Sequence, residues 1–311
     1  MKKNILWLVL FSFFVLNVFA QKSSKIVALL PMRNESLIIA QCLKALSLYA
    51  DAIVVFDDAS EDNSVEIVES LAKECKVEKI LRKKVWKRDE SADRSLLLKA
   101  GREIGGTHFI TIDADEMFEA TCLKDNYLRK RILALQPGDY ITMPLVQLWR
   151  GVDKFRVDDG ILLRSVIFCD DEKSKLTRYY QRFIHTGRIP QNLSGKDKII
   201  GTHYVLHFQS VNIKNMGIRQ AWYRCIEHIR YDKTIEELNK KYVKMTDETG
   251  IEFHKVPKSW YAGYDFFDAS VYKKIDVYRR AQVYGWFDKY GFEFFADLNL
   301  EGLKKDFGEV N

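Results

Sequence analysis

Three short polar stretches in this 311-residue chain have residue types and spacing suited to chemistry on a phosphate-bearing substrate. Asp113-Ala114-Asp115 sets two carboxylates at alternate positions, and on extended backbone alternate side chains point the same way. Asp113 and Asp115 then face one cleft, where hard carboxylates suit Mg2+ or Mn2+ bound together with substrate phosphates. With 24 Asp in the chain, such a triplet arises by chance about twice, so its position carries the argument. Asp57-Asp58 is a second acidic pair, able to accept hydrogen bonds from a base or a ribose. Asp62 or Asn63 already offers an N-cap for the next helix, which leaves the pair without an obvious structural role. The third stretch is Pro31-Met32-Arg33-Asn34-Glu35.

All three stand where short β-branched runs end. Runs over 26–30, 52–56, 77–81 and 108–112 read as strands, and amphipathic segments over 36–49, 64–73 and 91–104 read as the helices between them. That alternation predicts an α/β domain with a largely parallel sheet. In such sheets ligands bind outside the carboxyl ends of the strands, so the three polar stretches line up along one edge. After Pro137-Gly138 the pattern changes to extended segments over 140–148 and 161–168 without crossover helices, which predicts an antiparallel addition. Helical patterns rich in Trp and Tyr follow over 213–244 and 266–284.

Taken together, Ile26 to Glu35, Ala50 to Ser64 with Asp57-Asp58-Ala59-Ser60 at its centre, and Ile110 to Glu116 resemble glycosyltransferase family 2 in order and spacing. The likeness covers roughly residues 25 to 120, and the last 100 residues carry no assignable motif. The resemblance implies a GT-A fold: doubly wound α/β, a mostly parallel mixed sheet, and here a helical C-terminal extension. It implies a nucleotide-sugar donor, a UDP-sugar first among the candidates, and inverting transfer to a hydroxyl of a carbohydrate or glycolipid acceptor. By the same similarity Asp58, with Asp57 beside it, would hold the nucleobase. Asp115 would ligate the Mn2+ or Mg2+ bridging the donor diphosphate, and Asp113 would contact ribose or metal. Arg33 and Glu35 would line the donor pocket, Arg94 would contact the nucleotide, and His207 would touch the diphosphate or the metal.

Inverting displacement also needs a base within hydrogen-bond reach of the acceptor hydroxyl. Asp158 and Asp159 lie after the metal motif, where the family's base falls, and are the first choice; His185 and Glu116 are the others. Acidic pairs before glycine also make turns. His203 and His207 have the i, i+4 spacing of a helical metal site, but Tyr204-Val205-Leu206 between them reads as a strand.

Composition bounds the rest. With 47% apolar and 30% charged residues the chain is globular, and the net charge of +6 is spread along it, so nucleic acid is not indicated as a partner. Cys42, Cys75, Cys122, Cys169 and Cys225 show no CxxC spacing and read as core thiols. Lys2 and Lys3 precede an apolar run over 5–20, the pattern of a signal peptide or an uncleaved signal anchor. This predicts a secretory or membrane-associated protein, on a side of the membrane left open. The expected organisation is a leader over 1–24, a catalytic domain over 25–210 and a helical extension over 211–311. Six cations over 79–88 surround Trp86; they read as a solvated loop, as a surface for anionic lipid headgroups, or as a partner of the donor diphosphate.

Other classes fit less well. A sugar-phosphate nucleotidyltransferase needs a glycine-rich phosphate loop after the first strand, and residues 30–34 contain no glycine. A two-aspartate phosphatase calls for Thr or Val where Met117 stands. A secreted, non-catalytic carbohydrate-binding protein on the same fold is the alternative, because a bacterial periplasm lacks nucleotide sugars. An uncleaved anchor with the domain in the cytoplasm, or a eukaryotic lumen, removes that conflict.

Overall fold

The computed structural model describes residues 23–158, 160–171, 179, 186–243, 247–300 and 303. The leader, Asp159 and His185 lie outside the described residues. Along the chain come β1 (Ile26–Met32), α1 (Ile39–Ser47), β2 (Ala52–Asp57), α2 (Ser64–Leu71), β3 (Val77–Arg82), α3 (Glu90–Glu103), β4 (His108–Ile110) and β5 (Glu116–Phe118). A 3-10 segment over Ala120–Asn126 leads into α4 (Tyr127–Leu133). Then follow β6 (Tyr140–Leu148), β7 (Lys154–Val157), β8 (Leu162–Cys169), β9 (Asp197–Ile199), β10 (Val205–His207), α5 (Ile213–Arg230), α6 (Ile235–Val243), β11 (Glu252–Lys255) and α7 (Val277–Tyr290).

The strands form one mixed sheet in the order β11-β7-β6-β8-β4-β1-β2-β3. The β4-β1-β2-β3 half is parallel. β1 is apolar throughout and β2 is apolar up to the buried Asp57 at its end, as strands covered on both faces are. β8 then runs antiparallel to both β4 and β6, the expected antiparallel addition. β5 is a short spur paired antiparallel with β10, which also pairs parallel with β6. Ladder and spur together place the ends of β1, β2 and β4 on the same edge as β10.

Helix boundaries differ from the sequence expectation where side chains seize backbone amides first. The first helix was expected from residue 36, yet it begins at Ile39. The amides of Glu35 and Ser36 donate instead to Ser64 Oγ at 2.9 Å and Asp62 Oδ2 at 3.0 Å, so they are committed to the β2–α2 loop. α5 stops at Arg230, and a separate α6 follows it. α7 starts only at Val277, where Asp276 caps it by accepting the Arg279 amide at 3.0 Å. All five cysteines are free and buried.

α3 packs on β1 with almost no clearance. A Cβ on Gly101 would lie 2.7 Å from Phe109 Cε1 and 2.8 Å from Leu29 Cδ2, both buried in the core. Ala is the better helix former by about 1 kcal/mol, but overpacking costs about 1–3 kcal/mol. We expect Gly101→Ala to be destabilising by about 1–2 kcal/mol in urea unfolding. An equal or raised midpoint would show that α3 can shift outward.

Candidate active site

The strand ends open onto a cleft of about 700 Å³, within the range of small-ligand sites. Its floor comes from β1 and β2. Asn34 adopts a left-handed backbone conformation (φ 52°), held because its amide donates to Ser60 Oγ at 2.9 Å and its Oδ1 accepts the Glu61 amide at 2.8 Å. The two loops are thereby stitched together, and Arg33 and Glu35 face the cleft.

The structure splits the Asp57-Asp58 pair. Asp57 is fully buried and, contrary to the sequence expectation, holds the backbone in place. Its Oδ1 accepts the Ser60 amide at 3.1 Å, closing the turn through Ala59, and Arg82 Nε stands 3.3 Å from Oδ2. Asp58 lines the cleft. Lys83 Nζ bridges it, at 2.7 Å, to Asp93 at 2.8 Å. Burial pushes the Asp93 carboxyl up to about 6, against the pull of Lys83. A carboxyl raised in the folded state binds its proton more tightly there, so its contribution is largest below about pH 4 and is lost as pH rises through about 6. Asp93→Asn should remove that sloping part of the stability profile, measured by urea unfolding at about pH 4.5 and about pH 7.5. An unchanged slope would place the titration elsewhere.

Asp113 and Asp115 both reach the cleft, but in different company. Arg94 from α3 donates to Asp113 Oδ1 at 2.9 Å, and Arg188 donates to Oδ2 at 3.1 Å. Burial raises the Asp113 carboxyl, yet these two guanidiniums outweigh it and hold it below its usual range. Arg188 also binds Glu116, its Nη1 lying 2.6 Å from Oε2. Glu116 is completely buried and its carboxyl is raised by desolvation, which makes it an anchor for Arg188.

Asp115 Oδ2 receives Arg219 Nη1 at 2.5 Å and lies 3.4 Å from His207 Nε2. Burial opposes its ionisation, but His207 and Arg219 together hold it far below the usual carboxylate range. His207 Nδ1 stands 2.7 Å from Gln147 Oε1, whose own amide donates to Ser210 Oγ at 2.7 Å. That chain turns the Gln147 oxygen toward Nδ1 and leaves Nε2 aimed at Asp115, the outer support that ligating histidines require. Neighbouring ligands on an octahedral ion with bonds of about 2.1 Å lie about 3.0 Å apart. Asp115 and His207 could hold one Mg2+ or Mn2+ once Arg219 leaves Asp115 Oδ2, whereas both oxygens of Asp113 are taken by arginine.

Four cleft residues come from the region without a motif, two of them arginines. Arg219 on α5 also reaches Glu35 Oε1 at 3.3 Å, and Arg279 on α7 binds the same atom at 2.6 Å. Glu35 is buried, and desolvation raises its carboxyl despite both guanidiniums. Arg219, Trp222 and Tyr223 all line the cleft; their i, i+3, i+4 spacing was the available signal, a cation sharing a helix face with two aromatics. Arg188 stands alone in its loop and had no such signal.

Asp158 does not border the cleft. It is half-exposed and binds Arg156 Nε at 2.7 Å, beside the turn that leads into β8. His203 sits 2.5 Å from Glu119 Oε1, a carboxylate that sequence spacing did not place there. Of the six cations over 79–88, Lys79 pairs with Glu103, Arg82 with Asp57, Lys83 with Asp58 and Asp93, and Arg88 with Glu90. Among the described residues no helix is long and apolar enough to cross a membrane.

Residues 28–128 match the family described as glycosyl transferase family 2. No curated protein matches the chain. Among solved structures, the mannosyltransferase PcManGT from Pyrobaculum calidifontis, in complex with GDP-Man and Mn2+, is 13% identical, with a TM-score of 0.42 over 92% of this chain and 86% of that one. S. aureus TarS is also 13% identical, with a TM-score of 0.40 over 71% of this chain and 43% of that one. S. aureus TarS 1-349 in complex with UDP is 14% identical, with a TM-score of 0.39 over 71% and 70%. The chain thus spans less than half the length of the longer TarS.

Proposed function

We infer, from the premise that residues 28–128 are a family 2 glycosyltransferase domain, that the chain moves a sugar from a nucleoside-diphosphate sugar to an acceptor hydroxyl with inversion. The observation that carries this reading is the convergence of Asp58, Arg94, Asp113 and Asp115 on one cleft.

Asp58 would accept from an N–H on the edge of the base, with Lys83 holding its carboxylate in place. Arg33 Nε and Arg94 Nε are buried without hydrogen-bond partners, a cost that anionic oxygens of the nucleotide would offset. Asp115 and His207 would hold a divalent cation. Bound there, it would act as a Lewis acid on the leaving diphosphate, where negative charge builds as the anomeric bond breaks. Arg219, freed from Asp115 in that state, would stay within reach of the same charge. Asp113 sets the direction of Arg94 and Arg188. Asp158 would serve as the base only by turning away from Arg156 toward the cleft. Trp222 and Tyr223 offer faces for the acceptor, a carbohydrate or glycolipid. A UDP-sugar is the first donor to try, and the apolar leader would bring the domain to a membrane or into the secretory pathway.

Release of UDP or GDP from a panel of nucleotide sugars with Mn2+ tests the reading, with the anomeric configuration of the product read by NMR. Arg94→Ala should raise the donor KM about 10- to 100-fold, the loss of one charge-assisted contact of about 1.5–3 kcal/mol, while Asp113 keeps Arg188. No nucleotide release from any donor, or a retained configuration, would overturn it.

A further inference from the structure

The β5·β10 ladder carries a polar cluster at each end. At one end His207 pairs with Glu116 and stands beside Asp115. At the other, the Glu119 amide donates to Tyr204 O at 3.0 Å, and the Glu119 side chain meets His203 and Cys122. We propose that Glu119, Cys122 and His203 form a second metal site, one for Zn2+, that locks the far end of this ladder.

The donor set is the first argument. Carboxylate oxygen, thiolate and imidazole suit zinc, and three protein ligands leave a fourth position for water or for Thr121 Oγ1. The hydroxyl of Thr121 stands 2.7 Å from Glu119 Oε1 and 3.3 Å from His203 Nδ1. All three ligand atoms lie within 4.8 Å of one another. Cys122 Sγ is 3.6 Å from Glu119 Oε1, and tetrahedral zinc with bonds of about 2.3 Å to sulfur and about 2.0 Å to oxygen sets such ligands about 3.5 Å apart. The Oε1–Nδ1 pair, at 2.5 Å, must open by about 0.8 Å. His203 precedes β10 on irregular chain and is partly exposed, its ring resting on Tyr127 at 4.5 Å between centroids.

Charge is the second argument. Glu119 is 1% exposed, and buried carboxylates ordinarily have a cationic partner. Among the described residues neither Lys nor Arg binds it; its partners are Thr121, His203 and Cys122. Two of those are groups whose protons a zinc ion displaces. Binding would form Zn–S, Zn–O and Zn–N bonds, release the Cys122 proton to solvent and shift the proton that His203 Nδ1 donates to Glu119 onto Nε2.

The site is separate from the donor cleft, which none of the three residues lines. His203 and His207 are four residues apart, about 13 Å along extended chain. The same two strands carry both clusters, so zinc at one end would fix the register that sets Asp115 against His207 at the other.

The full chain, stripped with a chelator and titrated with Co2+, gives the readout: near-ultraviolet thiolate-to-cobalt absorption with visible bands of a tetrahedral ion, displaced by one equivalent of Zn2+. The absorption should persist in Asp115→Ala, which removes the cleft ligand, and vanish in Cys122→Ala. His203→Asn should weaken zinc binding at least ~100-fold, since even outer partners of ligands cost about 10- to 100-fold. Folded wild type without thiolate–cobalt absorption, or absorption retained in Cys122→Ala, would leave these residues as a hydrogen-bonded clamp and overturn the proposal.

Discussion

Asp115→Asn and Asp115→Ala should each lower turnover by a factor of at least ~10³, the scale of several kcal/mol of transition-state charge stabilisation lost with a bound cation. The two variants separate chemistry from folding. Asp115 is 8% exposed and balances Arg219 and His207, so Ala leaves two buried cationic groups facing each other and should also destabilise the fold. Asn keeps the volume and one acceptor oxygen but removes the charge that a divalent ion needs. Equal losses of activity with unequal losses of stability are the expected pattern, measured by steady-state kinetics and urea unfolding on the same preparations. Activity lost only in step with stability would make Asp115 a structural ion-pair partner.

Arg219→Ala is expected to lower kcat about 10²-fold, roughly the cost of one fixed donor to developing negative charge, with donor KM changed far less. Arg219→Lys should recover little of that loss. The guanidinium spans Asp115 at 2.5 Å and Glu35 at 3.3 Å with two different nitrogens, a fork that a lysine ammonium cannot reproduce. Glu35 keeps Arg279 at 2.6 Å in both variants, so the buried carboxylate is not left alone. The effect bears on the role of α5 as a whole. If residues 213–230 only cover the sheet, Arg219→Ala will change the unfolding midpoint and leave kcat within about twofold.

How far the sequence could be read depended on whether the controlling forces were local. β1 and β2 were legible because a covered parallel strand is apolar along nearly all its length, and their ends then had to share an edge. That ground places Asp58, Asp113 and Asp115 together, and all three line the cleft. Asp57 was misplaced because alternation of side chains says nothing about a backbone amide, here that of Ser60, waiting for a carboxylate. The start of α1 fell three residues later than its pattern suggests because the competitors for those amides, Asp62 and Ser64, are more than 20 residues away in the chain.

The arginines were hidden for a related reason. Arg188, Arg219 and Arg279 each answer a carboxylate between 72 and 244 residues away, and an isolated arginine looks the same whether it is solvated or buried against a distant acid. The glutamate at position 119 escaped notice in the same way. Its pairing with His203 spans 84 residues and follows from the β5·β10 register, which three-residue strands are too short to announce.

The central claim is that a nucleotide binds this cleft through a divalent cation held at Asp115 and His207. Calorimetric titration of UDP and of GDP into the wild-type protein, with Mn2+ and with Mn2+ removed by chelator, tests it most directly. The expected result is saturable binding of one of the two nucleotides, at least ~10-fold tighter with the ion present, the equivalent of ~1.4 kcal/mol. Binding of equal strength with and without Mn2+ would contradict the assignment of Asp115 and His207, and binding of neither nucleotide would contradict the donor cleft.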